Sequence, residues 1–544
     1  MRQPLSMQRA ATYAVVAVSL IVLLVQVAML VRGAWVIGIG WDEHDLVQLD
    51  WVQPFYATRN PIGYGVYGYS TQYLGHALNV LFGQEQWLRS YDVSARAYAI
   101  RHEGTAFLGI LGLVVAGYAA WTITRTAWVA LLAAAILAAL PVWSGHAMMN
   151  PKDIPVALGY TMVSVGMVAM TTASWSGTSR WRLLSVVILI AVGTFIAAGS
   201  RPPMAVPLLL TFLLYAALEF LSRGSWRIAL RTSAVALLGI TCGTVLILAA
   251  NSYLLDDLSL ELLQAIVGGA KAYPWIGAIR LNGQLVTSTS LPRDYWALVI
   301  FLSVPLIIFA FFAIGVALTI MEWLSTMSAR GARISKLGAA LTILLAQAIL
   351  LPTVATVLDL VDYDSQRHHL YVFPALAILA SIGIWWARTT WLSAPRDGTG
   401  TRSLTARSVA WTVVVCLALI VPTVEAYRLF PYTYVYMNPV ASLSGVNGRW
   451  ETDYWGLAMR DAQRMLPAGT SFSMDRASPS TFEVYAPEQG TGTVIPALQP
   501  GEDLRVAVPR GDWRVPPNCR VVGRITRPLR GEALDLAMIL ACTN

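Results

Sequence analysis

The chain has 544 residues, of which 56% are hydrophobic and only 12% charged, with a mean hydropathy of +0.58. An ordinary globular chain carries about 25% charged residues, so a soluble Rossmann enzyme, a nucleic-acid-binding domain and a disordered scaffold are excluded, and the chain reads as one built around membrane spans. Its net charge of +8 is then first a signal of topology and gives no reason to expect a nucleic-acid partner.

Apolar runs of about 20 residues predict eleven spans: Ala10–Val31, Thr105–Thr124, Ala127–Gly145, Ile154–Ala173, Leu183–Gly199, Pro203–Leu221, Thr232–Ala250, Trp296–Ile320, Leu337–Val357, Leu370–Ala387 and Val409–Ala426. The first is too long for the core of a cleavable signal peptide and has no small-residue cleavage site after it, so it is expected to be retained. No ionisable residue lies near the middle of any span and no internal repeat is found, both unlike ion-coupled transporters.

The polar chain between the spans carries the candidate chemistry. Directly after the first span comes Trp41-Asp42-Glu43-His44-Asp45. A carboxylate held near apolar surroundings can act as general base toward a hydroxyl, with a neighbouring acid to orient it; the bland alternative is a loop capping the next helix. Further along, Gly63–Gly68 spells G-x-G-x-x-G but follows no strand, so a dinucleotide site is rejected. His146 and Asn150-Pro151-Lys152-Asp153-Ile154-Pro155 join spans three and four. Asp153 and Pro155 suit a helix start, but Lys152, one of three lysines in the chain, suits an anionic group such as a phosphate. Arg201, in Ser200-Arg201-Pro202-Pro203, is a weaker candidate of the same kind. The loop Asn251–Tyr295, with Gly268-Gly269 and Gly283, is read as a mobile lid or a plain linker. Before span ten stand Asp359, Asp362, Asp364, Arg367, His368 and His369, where Arg367 can neutralise a lipid phosphate or serve as an interfacial anchor.

With the N-terminus inside, the inner pieces are rich in arginine and hold as acids only Glu219, Glu322 and Asp397. That asymmetry predicts a cytoplasmic N-terminus and an outer C-terminus. Three long polar pieces, Gly33–Gly104, Asn251–Tyr295 and the tail from Tyr427, then face outward, as do all six histidines (His44, His76, His102, His146, His368 and His369). Histidines with carboxylates can bind a divalent metal, but no tight ligand spacing occurs; the metal question stays open and no cofactor is assigned.

Cys242 and Cys416 lie in spans and read as packing residues, whereas Cys519 and Cys542 share the outer tail, where a disulfide is chemically permitted. The tail reads as a small α/β domain: a helix around Tyr454–Met465 and strands near Thr470–Met474, Leu504–Val508, Arg520–Ile525 and Leu534–Leu540. Asp453-Tyr454-Trp455-Gly456 is read as part of its packing. The chain thus divides into a membrane module, 1–426, and an extracytoplasmic domain, 427–544.

A first span followed by Asp-Glu in a long outer loop, a second acid at the start of span four and an external C-terminal domain together resemble the GT-C glycosyltransferases. Within that superfamily the chain resembles the bacterial protein O-mannosyltransferase and aminoarabinose-transferase type, whose donors are polyprenyl-phosphate sugars. It is most similar there to members carrying an NPKDIP motif, here Asn150–Pro155, with Arg101-His102 before the second span, Arg367-His368 before a late span, and Pro431-Tyr432-Thr433-Tyr434-Val435-Tyr436-Met437-Asn438 after the last. The resemblance implies a polytopic α-helical membrane protein with a GT-C-like bundle of about eleven transmembrane helices. It makes Asp42 the catalytic base, supported by Glu43, with Asp153 the second acidic position and Arg367 near the lipid phosphate. With the clusters above, His44, Arg101, His102, Asn150, Lys152, Arg201 and His368 join Arg367 as expected substrate-binding residues. Because His44 and Asp45 follow the Asp-Glu pair, the acceptor does not transfer from protein mannosylation.

The implied reaction moves one sugar from a polyprenyl-phosphate donor to a glycan, lipid or protein acceptor hydroxyl, with inversion, in a bacterial plasma membrane. Phosphate leaves as an anion, so the site needs a base on the acceptor side and cations on the leaving side; Asp42 supplies the first, and Lys152, Arg201 or Arg367 the second. The competing readings are a transporter or flippase of a lipid-linked glycan, an assembly factor whose bundle is only an anchor, and a transferase of preassembled glycans.

Overall fold

A computed structural model describes residues 3–43, 70–85, 93–174, 179–250, 276–328, 333–391, 401–476, 479–493, 495–496 and 498–543. His44, Asp45, the Gly63–Gly68 segment and Gly268-Gly269 lie outside these residues. Among the described residues ten helices are long and apolar enough to cross a membrane, and a bent pair, Ala127–Ala139 with Pro141–Ala147, makes an eleventh candidate. Pro141 opens the second member of that pair, which turns by 73°, as expected where proline ends one helix and starts the next.

The helix Asp153–Thr172 runs through the middle of the bundle, and its apolar window is wholly buried. It packs between Ala95–Thr124, Arg180–Ser200 and Lys336–Leu345. Its apolar residues therefore surround it on all sides, as expected of a core helix and unlike the lipid-facing helix Trp226–Ala250. The start of this central helix carries Asn150, Lys152 and Asp153 to one end of the bundle, where the polar chain gathers.

The expected span Trp296–Ile320 is not one helix. It breaks into Tyr295–Ser303 and Leu306–Ser328, because Pro305 cannot continue the hydrogen-bond ladder and clashes with the preceding turn. The carbonyls this frees are met by the segment Pro431–Asn438: the Asn438 amide donates to the oxygens of Phe301 (2.8 Å) and Val304 (3.1 Å), and its backbone N–H to Leu302 (2.6 Å). In apolar surroundings each unmet carbonyl is costly. Asn438→Ala is expected to destabilise the protein by about 2–3 kcal/mol, read as a lower midpoint of thermal unfolding in detergent; an unchanged midpoint would show that water or a rearranged turn takes over these bonds. A second irregularity is a π-helical turn, Ala346–Leu350, inside the span Lys336–Val357. There the Gln347 amide donates to Thr161 (2.9 Å) and to the Tyr371 carbonyl (2.7 Å).

Two elements were not expected: a helix, Ser70–Leu81, and a hairpin of β1 (Ala278–Leu281) and β2 (Gln284–Thr287) turning at Asn282-Gly283. The described part of the loop read as a lid is this hairpin, docked through Arg280 onto the Gly511 and Trp513 carbonyls of the tail. Asn-Gly is the strongest short hairpin signal, and the sequence reading passed over it.

In the tail, β3 (Ser473–Asp475), β4 (Glu502–Ala507), β5 (Cys519–Leu529) and β6 (Glu532–Thr543) form a mixed sheet in the order β3-β4-β6-β5, with only β3 and β4 parallel. The central strand β6 is buried almost throughout, which explains its near-continuous apolar sequence. Cys519 and Cys542 lie opposite each other in the β5–β6 register and are joined by a disulfide. The expected tail helix is shorter than predicted, Met459–Arg464. Before it, Asp453 accepts hydrogen bonds from the N–H groups of Leu457 (3.1 Å) and Ala458 (2.8 Å), which closes a turn in place of a helix.

Candidate active site

Four separate pieces of chain converge at the polar end of the bundle: the residues just after the first long helix, the start of the central helix, the turn before the helix Val372–Trp391, and the tail loop around Trp455. Asp42 is their meeting point. Its Oδ2 accepts from Lys152 Nζ at 2.5 Å and from Arg367 Nη1 at 2.7 Å. Both cations are 1% exposed, whereas the Asp42 side chain is 31% exposed, so the cations are the more deeply buried members of the cluster. Burial alone would raise the Asp42 carboxyl, but the charges of Lys152 and Arg367 outweigh it and hold the group well below the usual carboxylate range.

Trp455 forms the floor. The Arg367 guanidinium lies 5.2 Å from its ring centre and the Lys152 ammonium 5.9 Å, distances at which the ring quadrupole attracts a cation. The chain after the first helix passes so close that a Cβ on Gly40 would lie 2.5 Å from this ring, so only glycine allows the approach. The Trp41 N–H donates to the Trp455 carbonyl (3.3 Å).

Asp153, opening the central helix, pairs with Arg201 at 2.6 Å and accepts from Asn150 Nδ2 at 2.9 Å. Asn150 Oδ1 meanwhile caps the helix, accepting from the N–H groups of Lys152 (3.1 Å) and Asp153 (2.9 Å). That fixes the orientation of its amide, whose nitrogen also donates to His146 Nδ1 (3.0 Å); the His146 proton then sits on Nε2, facing the Tyr454 hydroxyl at 3.0 Å. Asn150 thus caps the central helix and holds Asp153 and His146 in a single arrangement.

The remaining expected residues stand further out. Glu43 turns away from Asp42: it accepts from the Gly40 N–H (2.7 Å) and pairs with His102 at 2.6 Å, while His102 reaches the Ala34 carbonyl at 3.1 Å. Glu43 and His102 thus brace the turn that presents Asp42. Arg101 does not join the Asp42 cluster; it pairs with buried Glu85, which also holds His76 at 2.6 Å. His368 and His369 share Asp362, each at 2.8 Å. Burial and the Arg367 charge push the His368 imidazole below its ordinary value against the pull of Asp362. Among the described residues no group of three or more His, Cys, Asp or Glu side chains is disposed to hold a metal ion.

Neither the profiles of known protein families nor the curated proteins match this sequence. Solved structures do. The crystal structure of ArnT from Cupriavidus metallidurans bound to undecaprenyl phosphate aligns over 97% of both chains at 14% identity, with a TM-score of 0.50. The apo form of that protein gives 0.47 at 15% identity over the same shares, and the oligosaccharyltransferase of Archaeoglobus fulgidus 0.48 at 14%, over 83% of this chain and 57% of that one. The chain shares the fold of ArnT along almost its whole length.

The sequence alone did not mark Trp455, Tyr454, Glu85 or Arg510, and marked Asp364 only as one acid of a cluster. Asp364 pairs with Arg367 at 3.0 Å and with Arg510. Trp455 and Tyr454, expected in the packing of the tail, are buried, but against Lys152, Arg367 and His146. The signal for them was weak, since a buried aromatic in a small domain carries no mark of which neighbour it covers.

Proposed function

We propose that this chain is a membrane glycosyltransferase that moves a single sugar from a polyprenyl-phosphate donor to an acceptor hydroxyl with inversion, using Asp42 as general base. The reading rests on one observation: a partly exposed carboxylate shared by two buried cations, Lys152 and Arg367, at 2.5 and 2.7 Å. One base and two cations are what a displacement at a sugar phosphate asks for. The fold shared with ArnT supports it, as does the undecaprenyl phosphate named with that protein.

In the displacement the acceptor oxygen attacks the anomeric carbon, its proton passes to Asp42, and the bond from that carbon to the phosphate oxygen breaks on the opposite face. The leaving phosphate gains charge, which Lys152 and Arg367 neutralise. Before the donor arrives these cations are held by Asp42. A phosphate competing for them withdraws positive charge from the carboxylate and makes it a stronger base, so donor binding and base activation are linked. Arg201, tied to Asp153, and the braces Glu43 and His102 keep the two acids in place. Residues 1–426 carry the reacting groups and 427–544 cover them from the extracytoplasmic side of a bacterial plasma membrane, with the N-terminus in the cytoplasm. The acceptor is a glycan, lipid or protein hydroxyl.

The test is to incubate purified protein with a panel of short-chain polyprenyl-phosphate sugars and a membrane or cell-wall acceptor extract, measuring free polyprenyl phosphate and the anomeric configuration of the product, with and without chelator. Consumption of one donor with inversion is the expected result. A protein that consumes none, while carrying a lipid-linked glycan across a vesicle membrane, would be a transporter.

A further inference from the structure

The tail has so far supplied Trp455, whose ring packs on Lys152 and Arg367. One of its arginines does more. Arg510 follows β4 in a short loop whose place is tightly fixed: its N–H donates to the Val508 carbonyl (2.8 Å), and its own carbonyl accepts from Trp513 (3.1 Å). The next residue, Gly511, has φ +58°, and a Cβ there would lie 2.5 Å from the Ala278 carbonyl of β1. The Gly511 N–H donates to Glu451 (3.1 Å), which also accepts from Arg280 (2.8 Å). The loop is thus clamped between the hairpin and the tail, and Arg510 is aimed from it into the bundle.

There its guanidinium meets Asp364 Oδ1, while Asp364 Oδ2 holds Arg367 Nη2 at 3.0 Å and Arg367 Nη1 holds Asp42 at 2.7 Å. The side chains of Arg510, Asp364 and Arg367 are 9%, 4% and 1% exposed, so water does not screen this row of alternating charges. Asp364 and Ser365 both sit in the left-handed region, at φ +58° and +60°, a strained conformation for non-glycine residues that neighbouring contacts must hold. Arg510 on Asp364 and the Tyr295 hydroxyl accepting from the Ser365 N–H (3.1 Å) supply those contacts.

The geometry assigns Arg510 as a positioning residue for transfer: by occupying one oxygen of Asp364 it leaves Arg367 a single bond to that carboxylate, so that the other arm of the guanidinium faces Asp42 and the donor phosphate. An arginine facing a carboxylate with both oxygens open prefers the two-bond, fork-like pairing. Without Arg510, Asp364 draws both arms of Arg367 and turns it away from the site. The C-terminal domain then takes part in the reaction and is not only a cover. This inference rests on the glycosyltransferase reading above.

The experiment is a double-mutant cycle. Wild type, Arg510→Gln, Arg510→Lys, Arg367→Gln and Arg510→Gln with Arg367→Gln are compared for donor KM and kcat, for affinity for undecaprenyl phosphate, and for thermal midpoint. Arg510→Gln is expected to raise donor KM and weaken carrier binding about tenfold, with a smaller change in kcat, and Arg510→Lys, which keeps the charge on Asp364, to recover most of it. In the Arg367→Gln background Arg510→Gln is expected to change carrier binding little, because there is no guanidinium left to position. An equal loss in both backgrounds, no loss in either, or a lysine variant as weak as the glutamine one would overturn the assignment in favour of a purely structural role. If the wild-type chain consumes no donor, the transferase reading fails, and the cycle is still decided by the carrier affinities. A wild-type chain that neither consumes donor nor binds carrier overturns both.

Discussion

Asp42→Asn is expected to lower the transfer rate by about 100- to 10,000-fold, the usual contribution of a positioned base, while tightening the binding of polyprenyl phosphate. The two effects have opposite signs for one reason. Asparagine keeps the volume and can still accept from Lys152 or Arg367, but it takes no proton from the acceptor and no longer competes with a phosphate for the two cations. Measured together, kcat and carrier affinity separate this from a scaffold role, in which removing the 2.5 and 2.7 Å pairs would weaken both. In wild type the acid limb of kcat/KM, which reports the free protein, is expected below the ordinary carboxylate range because Lys152 and Arg367 hold Asp42 ionised. The limb of kcat lies higher, because the bound phosphate shares those cations. The same depression stabilises the fold at every pH above the unfolded value of about 4, and this contribution is lost as pH falls from there through the lower folded value.

Arg367→Gln is expected to be the most damaging single change to both stability and carrier binding. Its guanidinium is 1% exposed and serves two carboxylates, Asp42 and Asp364, with Trp455 and Tyr363 ring centres at 5.2 and 4.9 Å. Removing one partner of a buried ion pair costs about 3–5 kcal/mol. The lower end is expected, since Asp42 keeps Lys152 and Asp364 keeps Arg510. Arg367→Lys restores a charge but not the fork that spans both acids, so its thermal midpoint is expected between those of wild type and the glutamine variant, with carrier binding still impaired. An Arg367→Gln protein that unfolds at the wild-type temperature and binds undecaprenyl phosphate equally well would remove this residue from the proposed phosphate site.

The span pattern was legible because a bilayer imposes a length and an apolar composition on each crossing segment, and these can be counted along the chain. Asp42, Lys152, Asp153 and Arg367 stood out for a related reason: charged side chains are few in such a sequence, and those beside spans have little choice but to face one another or water. The cysteine pair was legible only as a possibility, since the β5–β6 register that opposes Cys519 and Cys542 depends on strands far apart from any local signal.

By itself, then, the sequence determined a polytopic bundle, the end of it where polar chain collects, and the residue types able to act there. Which charges touch was decided by the tertiary structure alone. Asp42 and Arg367 are 325 positions apart, and Lys152, 110 positions from Asp42, comes from yet another segment. Glu43 looked like the partner of Asp42 because it is adjacent, but adjacent residues in a helical turn point in different directions, and Glu43 faces His102 instead. Arg510 and Trp455 carry no local mark of function; they reach the site only because a small sheet domain, pinned to a hairpin and to the last long helix, lays them over it. Span composition is set by the solvent each segment meets, whereas a site is set by which segments meet each other, and that information is spread across the whole packed chain.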